Sequence, residues 1–386
     1  MNLETLRKIL DLNQRESLFK DILKSFEELN TIEKISYEKF EISEGIIPVI
    51  YVANSLEVNK VKYVKVFVGA QHNEFNGLFA ILEFLRMIQD NKVNIKEILK
   101  KEQMIIFFPL MNSYGFLNPS KQNKSGYYLK DGSNLNRFWR REFAPEYKNL
   151  CDDQNEYSIP EHAKIVKKIL KKYWEREDIS IYILDFHETS LLKRFQDDLS
   201  VDLKKESISY KFDHWLKESI IKNVMMLYDI KYFREPLFFK CNSSADHNHI
   251  SLSIKQLDTV HEKLLDYIVK NRDKLPFYFC YNDKSKDFCE RLAKNVYNSQ
   301  KENLWETNFP KIKHFHDHGC FVMMGDATKR PNVYSMELES QKQFFDIFEE
   351  IEKSKTEPDY FINKLKMVNL SLELALETIK ELIRLY

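Results

Sequence analysis

Val64–Gly77 reads VKVFVGAQHNEFNG and changes character halfway along. Its first half is a run of β-branched and aromatic residues, which is typical of a buried strand. Polar side chains with oxygen and nitrogen donors follow at once. The next apolar residues recur at the spacing of one helix face: Leu78, Ile81, Leu82, Leu85 and Ile88. Open α/β sheets bind ligands at the carboxyl ends of their strands, so this order of strand, polar turn and helix predicts a functional site at the turn.

Gln71 and Glu74 are three residues apart in that turn, so both side chains can reach one point in space. A carboxylate that meets a second oxygen or nitrogen donor can form half of a metal site. A second apolar run, Ile179–Phe186, leads directly into His187 at the same expected edge of the sheet. The alternative for His187 is a histidine that only satisfies nearby backbone groups.

Apolar runs alternate with helical patterns along most of the chain, and this order predicts an α/β fold. We expect a mostly parallel mixed central sheet flanked by helices on both faces, with helical N- and C-terminal extensions. The predicted domains are a helical extension at 1–45, a catalytic domain at 46–345 and closing helices at 346–386. Further strand candidates are Ile46–Val52, Met104–Leu110, Phe277–Tyr281, Cys320–Met324 and Val333–Leu338, and helix candidates are Leu3–Leu29, Pro160–Trp174 and much of Leu192–Lys274.

The composition is that of a folded chain, and its balanced charge provides no net positive potential that would attract a polyanion. Of the 386 residues, 43% are hydrophobic and 31% charged, and 59 basic residues balance 59 acidic ones. We therefore expect neither nucleic-acid nor membrane binding. The 5 cysteines are scattered and predict free thiols in a reducing compartment. The N-terminal residues lack the apolar segment of a signal peptide, so the expected location is cytoplasmic.

The segment GAQHNEFNG at Gly69–Gly77 resembles the first metal motif of the zinc metallocarboxypeptidases and of their aspartoacylase and succinylglutamate desuccinylase relatives. In that superfamily a His stands three residues before the Glu. Here Gln71 takes the place of that His, and His72 takes the place of a Gly. The resemblance implies an α/β fold and a Zn²⁺ ion bound by Gln71, Glu74 and His187.

The same resemblance extends to other segments and implies further roles. DFHET at Asp185–Thr189 is similar to the third metal motif, with Asp185 orienting a ligand. NLNRF at Asn134–Phe138 is similar to the motif whose Asn and Arg hold a substrate carboxylate, which implies that role for Asn136 and Arg137. By its spacing, Lys130 would polarise the scissile carbonyl where the family has an Arg.

A late strand candidate carries the expected proton acceptor. In the family a late strand supplies the Glu that activates water, and VYSMELE at Val333–Glu339 resembles it. Strand alternation places Glu337 and Glu339 on one face. Glu337 aligns better with the family Glu and is the predicted base, with Glu339 as the alternative.

Three explanations of Gln71 stay open. Gln71 can coordinate through its amide oxygen, as in the similar branch of the family that trims peptidoglycan peptides. His72 can replace it as a ligand, with the turn shifted by one residue. The third explanation is a degenerate site in a non-catalytic binder of peptide termini. A separate metal site at the alternating His314, His316 and His318, or at His247 and His249, is a further alternative.

The resemblance thus implies a zinc-dependent hydrolase that cleaves an amide bond next to a free carboxylate. The expected partner is a peptide or an acylated amino acid with a free acid. An N-acyl amino acid deacylase of the aspartoacylase type and a non-catalytic binder are the alternative functions.

Overall fold

The structure is a computed structural model that describes residues 1–143, 157–189, 283–304, 332–344 and 346–385, with short segments between 209 and 281 and at 312–314. Its helices are α1 Leu3–Leu10, α2 Arg15–Glu28, α3 Asn76–Gln89, α4 Ile95–Ile98, α5 Ser113–Leu117, α6 Trp139–Phe143, α7 Glu161–Trp174, α8 Lys286–Gln300, α9 Ile347–Thr356 and α10 Tyr360–Arg384. Its strands are β1 Ile35–Ile42, β2 Gly45–Ala53, β3 Tyr63–Ala70, β4 Gln103–Leu110, β5 Ser180–Thr189, β6 Ser209–Lys211, β7 Phe233–Leu237, β8 His247–Ser251, β9 Phe277–Tyr281, β10 Ile312–His314 and β11 Val333–Gln341.

The central sheet has the strand order β1-β2-β4-β3-β5-β11-β9-β10. Strands β4, β3, β5 and β11 run parallel at its centre, whereas β1 and β2 at one end and β9 against β11 pair antiparallel with their neighbours. The predicted α/β class with a mixed central sheet is confirmed. Parallel strands end at one edge of a sheet, so β3, β5 and β11 bring their carboxyl ends together.

Each face of the sheet is covered by its own layer of helices. Helices α1, α2, α3, α8 and α10 pack on one face, against side chains such as Phe67, Phe107 and Leu184. Helices α6 and α7 pack on the other face, against Val66, Ile106 and Ile183. Because both faces are buried, the central strands are apolar throughout, as the sequence runs predicted.

The structure differs from the sequence prediction in two regions. Residues Ile35–Ile42 form β1 within the stretch expected to be a helical extension, and this strand pairs along its length with β2. Within Leu192–Lys274, expected to be largely helical, the described residues include β6, β7 and β8, which form a separate three-stranded sheet. β6 has only three residues, too few to give a periodic signal.

Two further sequence expectations concern a late strand and membrane-spanning helices. The strand candidate Cys320–Met324 lies outside the described residues. No described helix combines the length and the apolar composition that crossing a bilayer requires.

Gly77 permits a close approach of α3 to β5. A Cβ atom at this position would lie 2.6 Å from the Cβ of Phe186 and 3.0 Å from the Cα of Gly69. We expect Gly77→Ala to lower the free energy of unfolding by about 1–3 kcal/mol, because a packed core does not accept the added carbon. Urea unfolding measures this change. A more stable variant would contradict it, since helix propensity alone favours alanine by about 1 kcal/mol.

Lys65 is a buried amine in the middle of β3. It has 0% exposed surface, and its Nζ donates to the backbone carbonyl of Ile383, in the last turn of α10, at 2.6 Å. Burial lowers the pKa of Lys65 to about 7, and repulsion by Lys100 adds to this. The unfolded chain keeps the proton up to about pH 10.4, so it binds more protons than the folded chain between the two values. Burying the charged amine therefore lowers the free energy of unfolding by its full amount below about pH 7. This destabilisation decreases as the pH rises towards about 10.4.

Replacement of Lys65 with methionine should stabilise the fold at about pH 6.5. We expect Lys65→Met to raise the free energy of unfolding by about 2 kcal/mol, because the charge cost exceeds the lost hydrogen bond to Ile383. The gain should shrink as the pH approaches about 10. Urea unfolding over this pH range is the measurement, with Lys62→Met as the control, because Lys62 is exposed and directly precedes β3. A Lys65→Met variant less stable than wild type at about pH 6.5 would exclude a buried-charge cost.

Candidate metal centre

The site forms where β5 and β11 lie side by side at their carboxyl ends. The register places Glu337 beside Asp185 and Glu339 beside His187. Because side chains alternate along a strand, the side chains of these four residues emerge on one face of the sheet. It is the face that α6 and α7 cover, as the neighbouring Ile183 packs in that layer.

His187 is the centre of the cluster, and both of its ring nitrogens face carboxylates. Nδ1 lies 2.9 Å from Glu74 Oε2, and Nε2 lies 2.9 Å from Asp185 Oδ2 and 4.0 Å from Glu337 Oε2. Burial alone would lower the pKa of His187, but the carboxylates of Asp185 and Glu337 outweigh it and raise the pKa well above its usual value. The predicted proximity of Glu74 and His187 is therefore present in the structure.

The Nε2 side of His187 is a buried acidic cluster. Ligand atoms of Asp185, His187 and Glu337 all lie within 4.8 Å of one another, and these residues are 0%, 6% and 3% exposed. Burial raises the pKa of Asp185 to about 6. Burial and the adjacent Glu337 raise the pKa of Glu339 well above its usual value. Carboxylates in this setting hold protons unless a cation compensates them.

Several oxygens of this cluster have no hydrogen-bond partner among the described residues. They are Asp185 Oδ1, Glu337 Oε2, Glu339 Oε2 and Asn136 Oδ1. Buried polar atoms are rarely left without a partner, because each one costs about 1–3 kcal/mol. Together with an imidazole, such oxygens are suitable ligands for a divalent cation, so the residues present fit the metal that the sequence motifs imply.

The Nδ1 side of His187 is compensated by a lysine. Lys342 Nζ lies 3.3 Å from Glu74 Oε1 and donates to Asn73 Oδ1 at 2.7 Å. The backbone N–H of Glu188 donates to Glu74 Oε2 at 3.2 Å. Burial alone would raise the pKa of Glu74, but Lys342 and His187 outweigh it and hold the pKa below its usual range. Glu74 therefore stays ionised at neutral pH.

Gln71 is buried between Trp139 and Asp185, with both ends of its amide in hydrogen bonds. The indole Nε1 of Trp139 donates to Gln71 Oε1 at 2.6 Å. An indole N–H can only donate, so the atom that faces it is the amide oxygen. The amide nitrogen then donates to Asp185 Oδ2 at 2.5 Å.

His72 lies in the wall of the site. Its ring stacks on Tyr127 at a centroid distance of 4.1 Å and lies 5.6 Å from the ring of His187. Nδ1 is 3.0 Å from the backbone carbonyl of Tyr127, which only accepts, so Nδ1 carries the proton. Burial lowers the pKa of His72 to about 3 and keeps the ring neutral. Its Nε2 is buried without a hydrogen-bond partner in the described chain.

The predicted substrate residues lie at different depths. Asn136 is buried, and its Nδ2 is 3.2 Å from His187 Nε2, so it belongs to the cluster. Arg137 is half-buried beside it, with Nη1 donating to the carbonyl of Asn136 at 3.0 Å. Lys130 is exposed, and its backbone N–H donates to Glu44 Oε2 at 2.9 Å. The structure therefore brings Asn136 and Arg137 to the site and leaves Lys130 at the surface.

Sequence reasoning missed two contributors on β5 and after β11. Glu188 accepts from the backbone N–H groups of Asn76, at the start of α3, and of Gln343, each at 2.9 Å, and burial raises its pKa to about 7. It ties the first turn of α3 to the chain beyond β11. Lys342 comes directly after β11, the strand that carries Glu337 and Glu339. This position is the one sequence signal that could have identified it.

The other histidine-rich segments are only partly covered by the described residues. His247 and His249 belong to β8, and His314 ends β10, whereas His316 and His318 lie outside the described residues. Across the part of the chain that the structure describes, the group of metal-capable side chains is that of Asp185, His187 and Glu337.

Comparison with known proteins finds similarity in structure alone. No protein-family model matches the sequence, and no curated protein matches it. Among solved structures, the chain is similar to a metallo-carboxypeptidase from Burkholderia cenocepacia (11% identity, TM-score 0.47, covering 95% of this chain and 68% of that one). A metallo-carboxypeptidase from Pseudomonas aeruginosa in complex with (2-guanidinoethylmercapto)succinic acid is similar at 11% identity and TM-score 0.44, covering 94% and 68%. Bovine thrombin-activatable fibrinolysis inhibitor in complex with tick carboxypeptidase inhibitor is similar at 12% identity and TM-score 0.43, covering 95% and 97%.

Two of the three solved structures named here are metallo-carboxypeptidases by name. Similarity at 11–12% identity does not define an activity, a metal or the role of a residue in this chain. Those must be inferred from the side chains of the site itself.

Proposed function

We propose that this chain is a metal-dependent hydrolase that cleaves an amide bond next to a free carboxylate. The observation that carries the proposal is the buried group of Asp185, His187 and Glu337, whose ligand atoms lie within 4.8 Å of one another. This group includes oxygens that have no hydrogen-bond partner in the described part of the chain. We propose Zn²⁺ as the ion, because imidazole and carboxylate ligands suit it. A bound divalent cation would polarise an amide carbonyl and make a nearby water molecule more acidic.

A pair of carboxylates is available to move the proton that hydrolysis requires. Glu337 and Glu339 project from one face of β11, and their mutual repulsion helps to raise the pKa of Glu339. One of the two can accept a proton from water and pass it to the leaving nitrogen. In this proposal Lys342 stays on the far side of Glu74 and keeps that carboxylate charged.

The substrate would be held by its own carboxylate. Arg137 is half-buried next to Asn136, which touches His187, so a carboxylate bound at Arg137 would lie close to the cluster. A guanidinium binds a carboxylate through two parallel hydrogen bonds. The proposed substrates are therefore peptides or acylated amino acids with a free acid, and Asn136 and Arg137 are their proposed contacts.

Metal content and hydrolysis test this proposal together. The purified full chain should contain about one Zn²⁺ per molecule by elemental analysis, and it should hydrolyse members of a panel of peptides with free C-termini or of N-acyl amino acids. A chelator should abolish hydrolysis, and added Zn²⁺ should restore it. The panel separates a carboxypeptidase from a deacylase. A chain that binds these compounds but neither holds zinc nor hydrolyses them would be a non-catalytic binder.

A further inference from the structure

We propose that the cation binds on the Nε2 side of His187, held by Asp185, His187 and Glu337, and that Gln71 and Glu74 are positioning residues and not metal ligands. This assignment rests on the proposed function, because it concerns the same metal. It differs from the ligand set of Gln71, Glu74 and His187 that the sequence resemblance implies.

The distribution of charge distinguishes the two sides of the His187 ring. On the Nδ1 side, Lys342 already lies 3.3 Å from Glu74. On the Nε2 side, no described lysine or arginine forms an ion pair with Asp185 or Glu337, whose ion-pair contacts are with His187. Uncompensated buried carboxylates are costly, so the Nε2 side is where a cation would lower the free energy most.

The oxygens for which the described residues offer no hydrogen-bond partner lie on this same side. Asp185 is 0% exposed and keeps Oδ1 free, while its Oδ2 accepts from Gln71. Glu337 is 3% exposed and leaves Oε2 without a hydrogen bond. By contrast, Glu74 engages both of its oxygens, one with Lys342 and the other with His187 and a backbone N–H.

The hydrogen bonds of Gln71 define its role. Since Trp139 must donate to the amide oxygen, Gln71 presents its amino group to Asp185. An amide N–H cannot bind a cation, but it can fix the orientation of the carboxylate that does. Gln71, which replaces the expected His, thus orients the neighbouring Asp185, and Asp185 is the metal ligand.

Glu74 has an equivalent role on the other ring nitrogen. A histidine that binds a metal through one nitrogen commonly donates its other N–H to a carboxylate, which fixes the tautomer. Glu74 Oε2 lies 2.9 Å from His187 Nδ1 and is suited to accept that proton. With Glu337 bound to the cation, Glu339 would carry the proton in hydrolysis.

Zinc affinity of the full chain, measured by competition with a chromophoric chelator, tests the assignment. We expect Asp185→Asn and Glu337→Gln to weaken Zn²⁺ binding more than about 100-fold. Gln71→Met and Glu74→Gln should weaken it about 10–100-fold, as is usual for residues that support a ligand. The matched control is Glu350→Gln, a buried carboxylate on α9 that pairs with Lys364 at 2.7 Å, which should change the affinity by no more than about threefold. Circular dichroism establishes that each variant is folded.

A double-mutant cycle separates positioning from direct ligation. If Gln71 acts through Asp185, then Gln71→Met should weaken Zn²⁺ binding by little more than about threefold in an Asp185→Asn background. An additive loss in that background, or a Glu74→Gln loss larger than that of Asp185→Asn, would overturn this ligand assignment and leave the proposed function intact. A wild-type chain that takes up no Zn²⁺ would instead refute the proposed function, and this assignment with it.

Discussion

The His187→Ala variant should bind no stoichiometric zinc and lose hydrolysis by at least about 10³-fold in kcat/KM. His187 is the one described side chain that contacts Glu74 and Asp185 and also lies within 4.0 Å of Glu337. Its removal deletes a ligand on either assignment of the metal. It also leaves the buried carboxylates without the imidazole between them. Elemental analysis and the hydrolysis assay of the proposed function measure the two losses.

His162→Ala is the matched control for that variant. His162 is a buried histidine on α7 whose ring nitrogens have no hydrogen-bond partner among the described residues, and burial lowers its pKa to about 4, so the ring is neutral. We expect zinc content and kcat/KM of this variant within about threefold of wild type, although the cavity lowers stability. A His187→Ala chain that is folded and still hydrolyses its substrate at the wild-type rate would refute the proposed centre.

The sequence predicted the parts of the site that lie on regular elements. The apolar run of β3 ends at Gln71, that of β5 ends at His187, and the alternation in β11 places Glu337 and Glu339 on one face. Each of these positions follows from strand geometry alone. Glu74 lies in the turn after β3, and its meeting with His187 was expected from the resemblance of two motifs that are far apart in the chain.

The contacts from which we infer the roles of Gln71, His72 and Glu74 could not be predicted from strand geometry. Trp139 and Tyr127 reach the site from the long segment after β4, and their positions depend on how that segment folds over the sheet. Spacing alone placed Lys130 at the site, but the described lysine that contacts Glu74 in the structure is Lys342. β1 was missed because its charged residues make it a half-exposed edge strand, without the apolar run of a central one.

Arg137→Ala should lower kcat/KM by about 10²–10³-fold for substrates with a free carboxylate. The proposed interaction is a bidentate pair, which is stronger than a neutral hydrogen bond and is lost entirely on truncation. The same variant should change kcat/KM by no more than about threefold for a substrate whose carboxylate is replaced by an amide, because that substrate never forms the pair. Comparing the two substrates separates lost recognition from general damage to the site.

Arg141→Ala is the control one turn further along the chain. Arg141 lies on α6 and donates to the carbonyl of Tyr157 at 3.1 Å, so its loss removes a similar charge nearby without touching the proposed substrate contact. Acid and amide substrates should respond equally to Arg141→Ala. If Arg137→Ala also lowered the rates of acid and amide substrates by one factor, Arg137 would support the structure of the site and would not bind the carboxylate. The preference for a free acid would then have to come from another side chain.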